Sequence, residues 1–324
     1  MISVRAFLSI TAFLVLCSTG FLAPEARAAK LSAPPAASTV IDKIYSGDAE
    51  FAIDDARRMQ REQPEHPLGY LLEGEALWWG IWCTSSDFKW GMSDARRRPK
   101  LAADQYYFDL AAKVSKLADV QLRRHETAEM QFYAGMGDAM AARLYGLRGE
   151  NRNTARAGVR AREHFLRART LDPELADADL GLGLYNYYVD TLSTIARVLR
   201  VFMGLPGGSK QEGIRQLQQV IADGVLTSDV ARFYLALDLH RYDQRYEQAL
   251  AVISPLVEKY PSNPLFQLAR GDLLAKLGRK EQALACYRAA GALAIRNPEC
   301  RERIQQLVHA SLAALGSGSD SARH

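Results

Sequence analysis

The chain has 324 residues, of which 48% are hydrophobic, 9% aromatic and 24% charged, with a formal net charge of +4. That composition is globular and excludes a disordered, collagenous or fibrous chain. The slight positive excess is not the concentrated basic face that nucleic-acid binding demands, so no nucleic-acid partner is expected.

At the N-terminus, Arg5 precedes the apolar stretch AFLSITAFLVLCSTGFLA (6–23), which stops before Pro24 and Glu25. Ala26-Arg27-Ala28 then gives a small-x-small cleavage pattern. Residues 1–28 read as a signal peptide, which makes the protein exported, and periplasmic if bacterial. Cys17 leaves an alternative open, since lipoproteins are cut before a lipidated Cys. The residue ahead of it, Leu16, is larger than that cut favours. Lipid anchoring and an uncleaved membrane anchor therefore stand as the alternatives.

Residues 29–38 read as a linker and residues 39–315 as one helical domain of six hairpin-like pairs between Thr39 and Ala294. Gly47, Ala52, Ala56 and Pro64 mark the first unit, followed by Tyr70, Gly74 and Leu77 on the next helix. VRAREHFLRARTLDP (159–173) repeats the spacing with Ala161, Phe165, Ala168 and Pro173. It returns with Phe233, Tyr246, Ala249 and Pro261, and the pentapeptide EQALA recurs 34 residues on, at Glu247 and Glu281. In the last unit Ala283, Tyr287 and Ala290 share one helix face, two small residues flanking a ring. Gly271 sits on the helix before, where a side chain would hold the pair apart, and Gly278 sits in the turn. A two-helix unit of this length cannot bury its apolar face alone, so it stacks on its neighbours into a curved superhelix with a groove.

This pattern resembles the tetratricopeptide repeat, with its small residues in both helices and a proline after the second. The resemblance implies an all-α solenoid, a right-handed superhelix of helical hairpins. Its groove would be lined mainly by first helices and would bind a protein or peptide without chemistry. DLGLGLYNYYVDTLSTIARVLRVFMGLPGGSKQEGIRQL (179–217) is also similar, through Gly181, Gly183, Gly204, Gly207 and Gly213, to part of the divergent inclusion-body-clearance tetratricopeptide group. That likeness covers about 40 residues and implies only that the segment belongs to the architecture. The long gaps between prolines require inserted segments, near 85–100 and 191–209. PECRERIQQLVHASLAAL (298–315) carries the apolar stripe Ile304, Leu307, Val308 and Leu312, as an end cap needs, and 316–324 reads as a disordered tail.

Four candidate contact residues follow. Trp78 and Trp79, in the tryptophan-rich stretch WWGIWCTSSDFKW (78–90), point toward the groove in this register, unless the inserted loop folds back over them. Tyr185 and Tyr188 also face the groove if Gly181, rather than Gly183, makes the close helix approach and so buries Leu184 instead of Asn186. The 191–205 segment places Leu192, Ile195, Val198, Leu199 and Phe202 on one face. It is either a packed helix or one lying on a membrane surface. The arginines stepping from Arg148 through Arg152, Arg156 and Arg160 form either an anion-binding row or a salt-bridged surface. Of Cys83, Cys286 and Cys300, the last two could pair; otherwise all three are small hydrophobes.

No catalytic residue, metal ligand or cofactor is expected. The six histidines are scattered, there is no HExxH or GxSxG, and in GLPGGSK (204–210) Ser209 precedes Lys210, the reverse of a phosphate loop. The function expected is an exported, non-catalytic scaffold holding a protein or peptide in its groove. The alternative is a small-ligand or lipid-binding envelope protein using the aromatic stretch and the 191–205 insertion. An open groove favours the first, an enclosed apolar cavity the second.

Overall fold

The computed structural model describes residues 31, 33–85, 100–192, 201 and 204–317. The signal segment, Cys17, most of both insertions (86–99, 193–200 and 202–203) and the tail 318–324 lie outside the described residues.

The described chain is helical, without a strand, and its hairpin turns explain why. Three of the hairpins bend the chain back through the left-handed region at a glycine. Gly47, Gly149 and Gly278 take φ values of +90°, +74° and +73°, a conformation free of Cβ conflict only for glycine. Several helices are started by side chains: Thr127 accepts from the Met130 N–H and Ser209 from the Glu212 N–H. Asn263 caps a helix whose first residue is Pro264.

The thirteen described helices fall into six hairpins and a final helix. The hairpins are α1 (Pro35–Tyr45) with α2 (Ala49–Glu62), α3 (Leu68–Ser85) with α4 (Ala102–Leu122), and α5 (Ala128–Leu147) with α6 (Asn151–Leu171). They continue as α7 (Asp179–Asp190) with α8 (Lys210–Asp223), α9 (Ser228–Arg241) with α10 (Tyr246–Lys259), and α11 (Pro264–Lys276) with α12 (Lys280–Ala292). α13 (Pro298–Ser317) follows. The repeat residues sit in the contacts: Ala52, Ala56, Ala161, Phe165, Ala168, Ala249, Ala283 and Ala290 are all buried. A Cβ on Gly271 would lie 2.6 Å from the Tyr287 ring, so the missing side chain sets the helix spacing. Both α7 glycines are used, one on each side. Gly181 meets the Phe165 ring of α6, and Gly183 meets the Gly213 carbonyl and Leu217 of α8.

At the turn between α9 and α10 the left-handed position is held by Gln244, with φ +53°. A side chain there costs about 1 kcal/mol or more. Gln244→Gly is therefore expected to raise stability by roughly 0.5–1 kcal/mol, read from urea unfolding midpoints.

The two ends of the stack meet. Its last hairpin returns to its first, and α13 packs on both α11–α12 and α3. The Tyr260 hydroxyl lies within hydrogen-bond distance of two carboxylates, Asp42 (2.8 Å) and Asp229 (2.7 Å), and can give its one proton to either; the Asn263 amide donates to the Tyr45 carbonyl (2.8 Å), and Ser262 to the Ser46 carbonyl. A disulfide, Cys83–Cys300, ties α3 to α13 with Cα atoms 5.3 Å apart. This corrects the expected choice between a Cys286–Cys300 pair and three unpaired cysteines. Cys286, in the middle of α12, is buried and free.

Two of the four stepping arginines, Arg148 and Arg160, and two further along, Arg167 and Arg169, are salt-bridged, whereas Arg152 and Arg156 are exposed. Arg148 pairs with Asp104 at 2.7 Å, Arg160 with Asp138, Arg167 with Glu126 and Arg169 with Asp179. The Arg148–Asp104 side chains are only 3% and 6% exposed, so this pair fastens α4 to the α5–α6 turn.

Candidate functional site

With the ring closed, the first helices of five hairpins turn one stripe each toward a shared hollow of about 710 Å³. The stripes follow helical spacing. On α3 the stripe is Leu71, Glu75, Trp78 and Trp82, and on α5 it is Met136, Met140, Arg143 and Leu147. α7 contributes Gly181, Leu184 and Tyr188, and α9 contributes Val230, Tyr234, Asp238 and Arg241. α1 closes one side with Ile44 and Tyr45, and α6 adds Gly158 and Ala161. Most of these groups are apolar or aromatic, so the hollow suits a molecule with a largely apolar body.

Two polar features interrupt the apolar walls. The Arg143 guanidinium forms a two-pronged pair with Glu75 (2.5 and 3.0 Å) and bonds the Tyr107 hydroxyl. It also lies over the Trp78 ring, 4.6 Å from its centre. The pair is internally satisfied, as a buried charge pair must be if it is not to destabilise the fold. The second feature is Asp238, only 2% exposed. Burial pushes its pKa up to about 8, while a hydrogen bond from Tyr188 and the charge of Arg241 pull the other way. Its Oδ2 oxygen has no hydrogen-bond partner among the described residues.

The four predicted contact residues separate. Trp78, Tyr185 and Tyr188 line the hollow. Tyr188 is 37% exposed and lines the hollow, while burial of its hydroxyl lifts that group's pKa well above the usual tyrosine range. Tyr185 donates to the Pro206 carbonyl (3.0 Å) and has the Arg162 guanidinium over its ring. Trp79 points the other way. Its ring packs on Tyr45, Trp82, Phe233 and Phe266 at centroid distances of 5.0 to 6.1 Å, in the aromatic cluster that seals the first hairpins to the last. One position along a helix turns a side chain by about 100°, which is why adjacent tryptophans divide between wall and seal. Leu184 is half-buried on the wall, and Asn186 is satisfied by Gln216 at 2.8 Å, so neither register alternative alone describes α7.

Sequence reasoning missed Glu75, Arg143 and Asp238. Each is a charged letter on an otherwise apolar stripe, such as Asp238 in YLALDLHRY, and that interruption was the available signal. Among the described residues no group of three or more His, Cys, Asp or Glu could hold a metal ion. No described helix is long and apolar enough to cross a membrane.

Residues 234–298, the α9–α13 stretch that carries both EQALA copies, match the family model described as Tetratricopeptide repeat. These residues are tetratricopeptide repeats. The same hairpin architecture continues through the rest of the described chain, so the molecule is a tetratricopeptide-like helical solenoid. Among solved structures, yeast Tom70 aligns over 83% of this chain at 13% identity, with a TM-score of 0.29. The chain spans 60% of that protein. No curated protein matches the sequence.

Proposed function

We propose that the protein is exported and binds a small, largely apolar molecule in the hollow of its closed repeat ring, without catalysing a reaction. The observation that carries this reading is the cavity. At about 710 Å³ it falls within the roughly 300–1,000 Å³ of small-molecule sites. Its walls are made mainly by the first helices, the faces that an open tetratricopeptide groove would offer to a peptide. With the α10–α11 corner seated on the first hairpin, those faces surround a half-open hollow rather than an extended trough. The signal-like residues 1–28 support export, and the Cys83–Cys300 disulfide fits an oxidising compartment.

Two glycines give the test. Gly158 lines the hollow and a Cβ there meets nothing within 4 Å; Gly80 is equally open but lines a separate cavity on the outer side of α3. Gly158→Phe is expected to fill the hollow and weaken binding of the neutral fluorophore N-phenyl-1-naphthylamine at least about tenfold. Stability should not fall, because phenylalanine is a better helix former than glycine. Gly80→Phe should leave that binding unchanged. A dye that fails to bind, or that binds both variants alike, removes the cavity reading.

A second reading rests on the tetratricopeptide match, since such repeats are in general non-catalytic protein-binding scaffolds. A protein partner would then sit on the outer faces of the hairpins, and its binding would survive Gly158→Phe.

A further inference from the structure

Resting on the cavity reading, we infer that the ligand presents a neutral hydrogen-bond-accepting oxygen, as in a ketone, ester or ether, to the Asp238 carboxyl in the α9 wall. Buried polar groups in folded proteins are nearly always paired. Asp238 is buried in the wall of the hollow, and its Oδ2 is unpartnered among the described residues. The groups around it are otherwise engaged. Tyr188 of α7 donates its hydroxyl to the same carboxyl. The neighbouring Tyr187 hydroxyl donates to the Asp238 backbone carbonyl at 2.9 Å. Lys210 of α8 pairs with Asp243 at 2.6 Å. On α9, Tyr234 lies one turn earlier and Arg241 follows, with Tyr242 and Asp243 just past the helix end.

The chemistry then selects the ligand. Burial leaves the carboxyl protonated at neutral pH, and a protonated carboxyl has an O–H to donate. The complementary ligand atom is therefore an acceptor. A cation is disfavoured, because Arg143 and Arg241 share the wall and Glu75 is already committed to Arg143. The rings of Tyr188 and Tyr242, 6.2 Å apart between centroids, are the groups that shift to admit the ligand oxygen. Both are among the more exposed aromatics, at 37% and 48%.

The experiment is displacement of N-phenyl-1-naphthylamine from the full, disulfide-intact chain by 2-decanone and by decylammonium. 2-Decanone should compete better than decylammonium at neutral pH, and its affinity should fall about tenfold as pH rises through about 8, when Asp238 loses its proton. Asp238→Asn keeps a donor, so ketone affinity should persist and its pH dependence vanish. Asp238→Leu should weaken the ketone about tenfold and leave the dye bound. Dye binding with ketone affinity indifferent to pH and to Asp238→Leu, or with decylammonium preferred, overturns this inference and leaves the cavity reading standing. Failure of the dye to bind overturns both.

Discussion

Replacing Cys300 with serine, or reducing the Cys83–Cys300 bond, is expected to lower the unfolding free energy by roughly 2–5 kcal/mol. The bond spans 217 residues, so cutting it frees nearly the whole repeat array in the unfolded state. Loop-closure entropy grows only with the logarithm of loop length, and a loop of this size lies near the upper end of the disulfide range. The folded ring itself should stay closed, because the junction has other fastenings. Tyr260 still reaches Asp42 and Asp229, Asn263 still reaches Tyr45, and the Tyr45–Trp79–Phe233–Phe266 cluster is untouched. Urea unfolding with and without reductant measures the difference. A midpoint indifferent to reductant would show that the bond contributes nothing to stability. Cys286 serves as an internal reporter: its thiol is buried and its pKa pushed up by that burial, so a thiol reagent should modify it only on unfolding.

What the sequence made legible divides along a physical line. Local and periodic features were readable. Ala249 and Ala283, Gly271 against Tyr287, and the turn glycines Gly47 and Gly278 all act within one hairpin or between adjacent ones, and their spacing carries that geometry directly. Ring closure was not readable, because it depends on the small rotation between successive hairpins, summed over six of them, and no single residue encodes the sum. The disulfide shares that origin. Cys83 and Cys300 meet only because the array returns on itself, whereas Cys286, close to Cys300 in sequence, meets Gly271 of α11. The site was half legible for the same reason. Helical phase placed Trp78, Tyr185 and Tyr188 on the inner faces, but only closure turned those faces into a cavity. Trp79 went to the seal with Phe233 and Phe266, residues about 150 or more positions away in the chain. Asp238 was overlooked because a single acid in a helix is ordinarily a solvated one.

The second large effect concerns Phe165, which is fully buried between two glycines. A Cβ on Gly135 would lie 2.7 Å from its ring, and one on Gly181 would overlap the ring outright. Phe165 thus fills the space that α5 and α7 leave open on either side of α6. Phe165→Ala is expected to destabilise the protein by about 3–5 kcal/mol, through lost burial and the void left behind. Gly181→Ala should also destabilise, by about 1–3 kcal/mol, since the ring and α7 must move apart. Together the two should not add. Once the ring is gone, the Gly181→Ala methyl enters the vacated space and helix propensity favours alanine by nearly 1 kcal/mol, so the second change becomes neutral or stabilising. A double-mutant cycle should return a coupling of about 2 kcal/mol or more, whereas additive effects would mean that Gly181 and Phe165 do not set the helix spacing. The consequence reaches the cavity. Leu184 and Tyr188 continue the Gly181 stripe of α7 into the wall of the hollow. Gly181→Ala alone should therefore displace that wall and weaken dye binding, although the substituted residue need not touch the dye. Restoring room with Phe165→Ala should recover part of it.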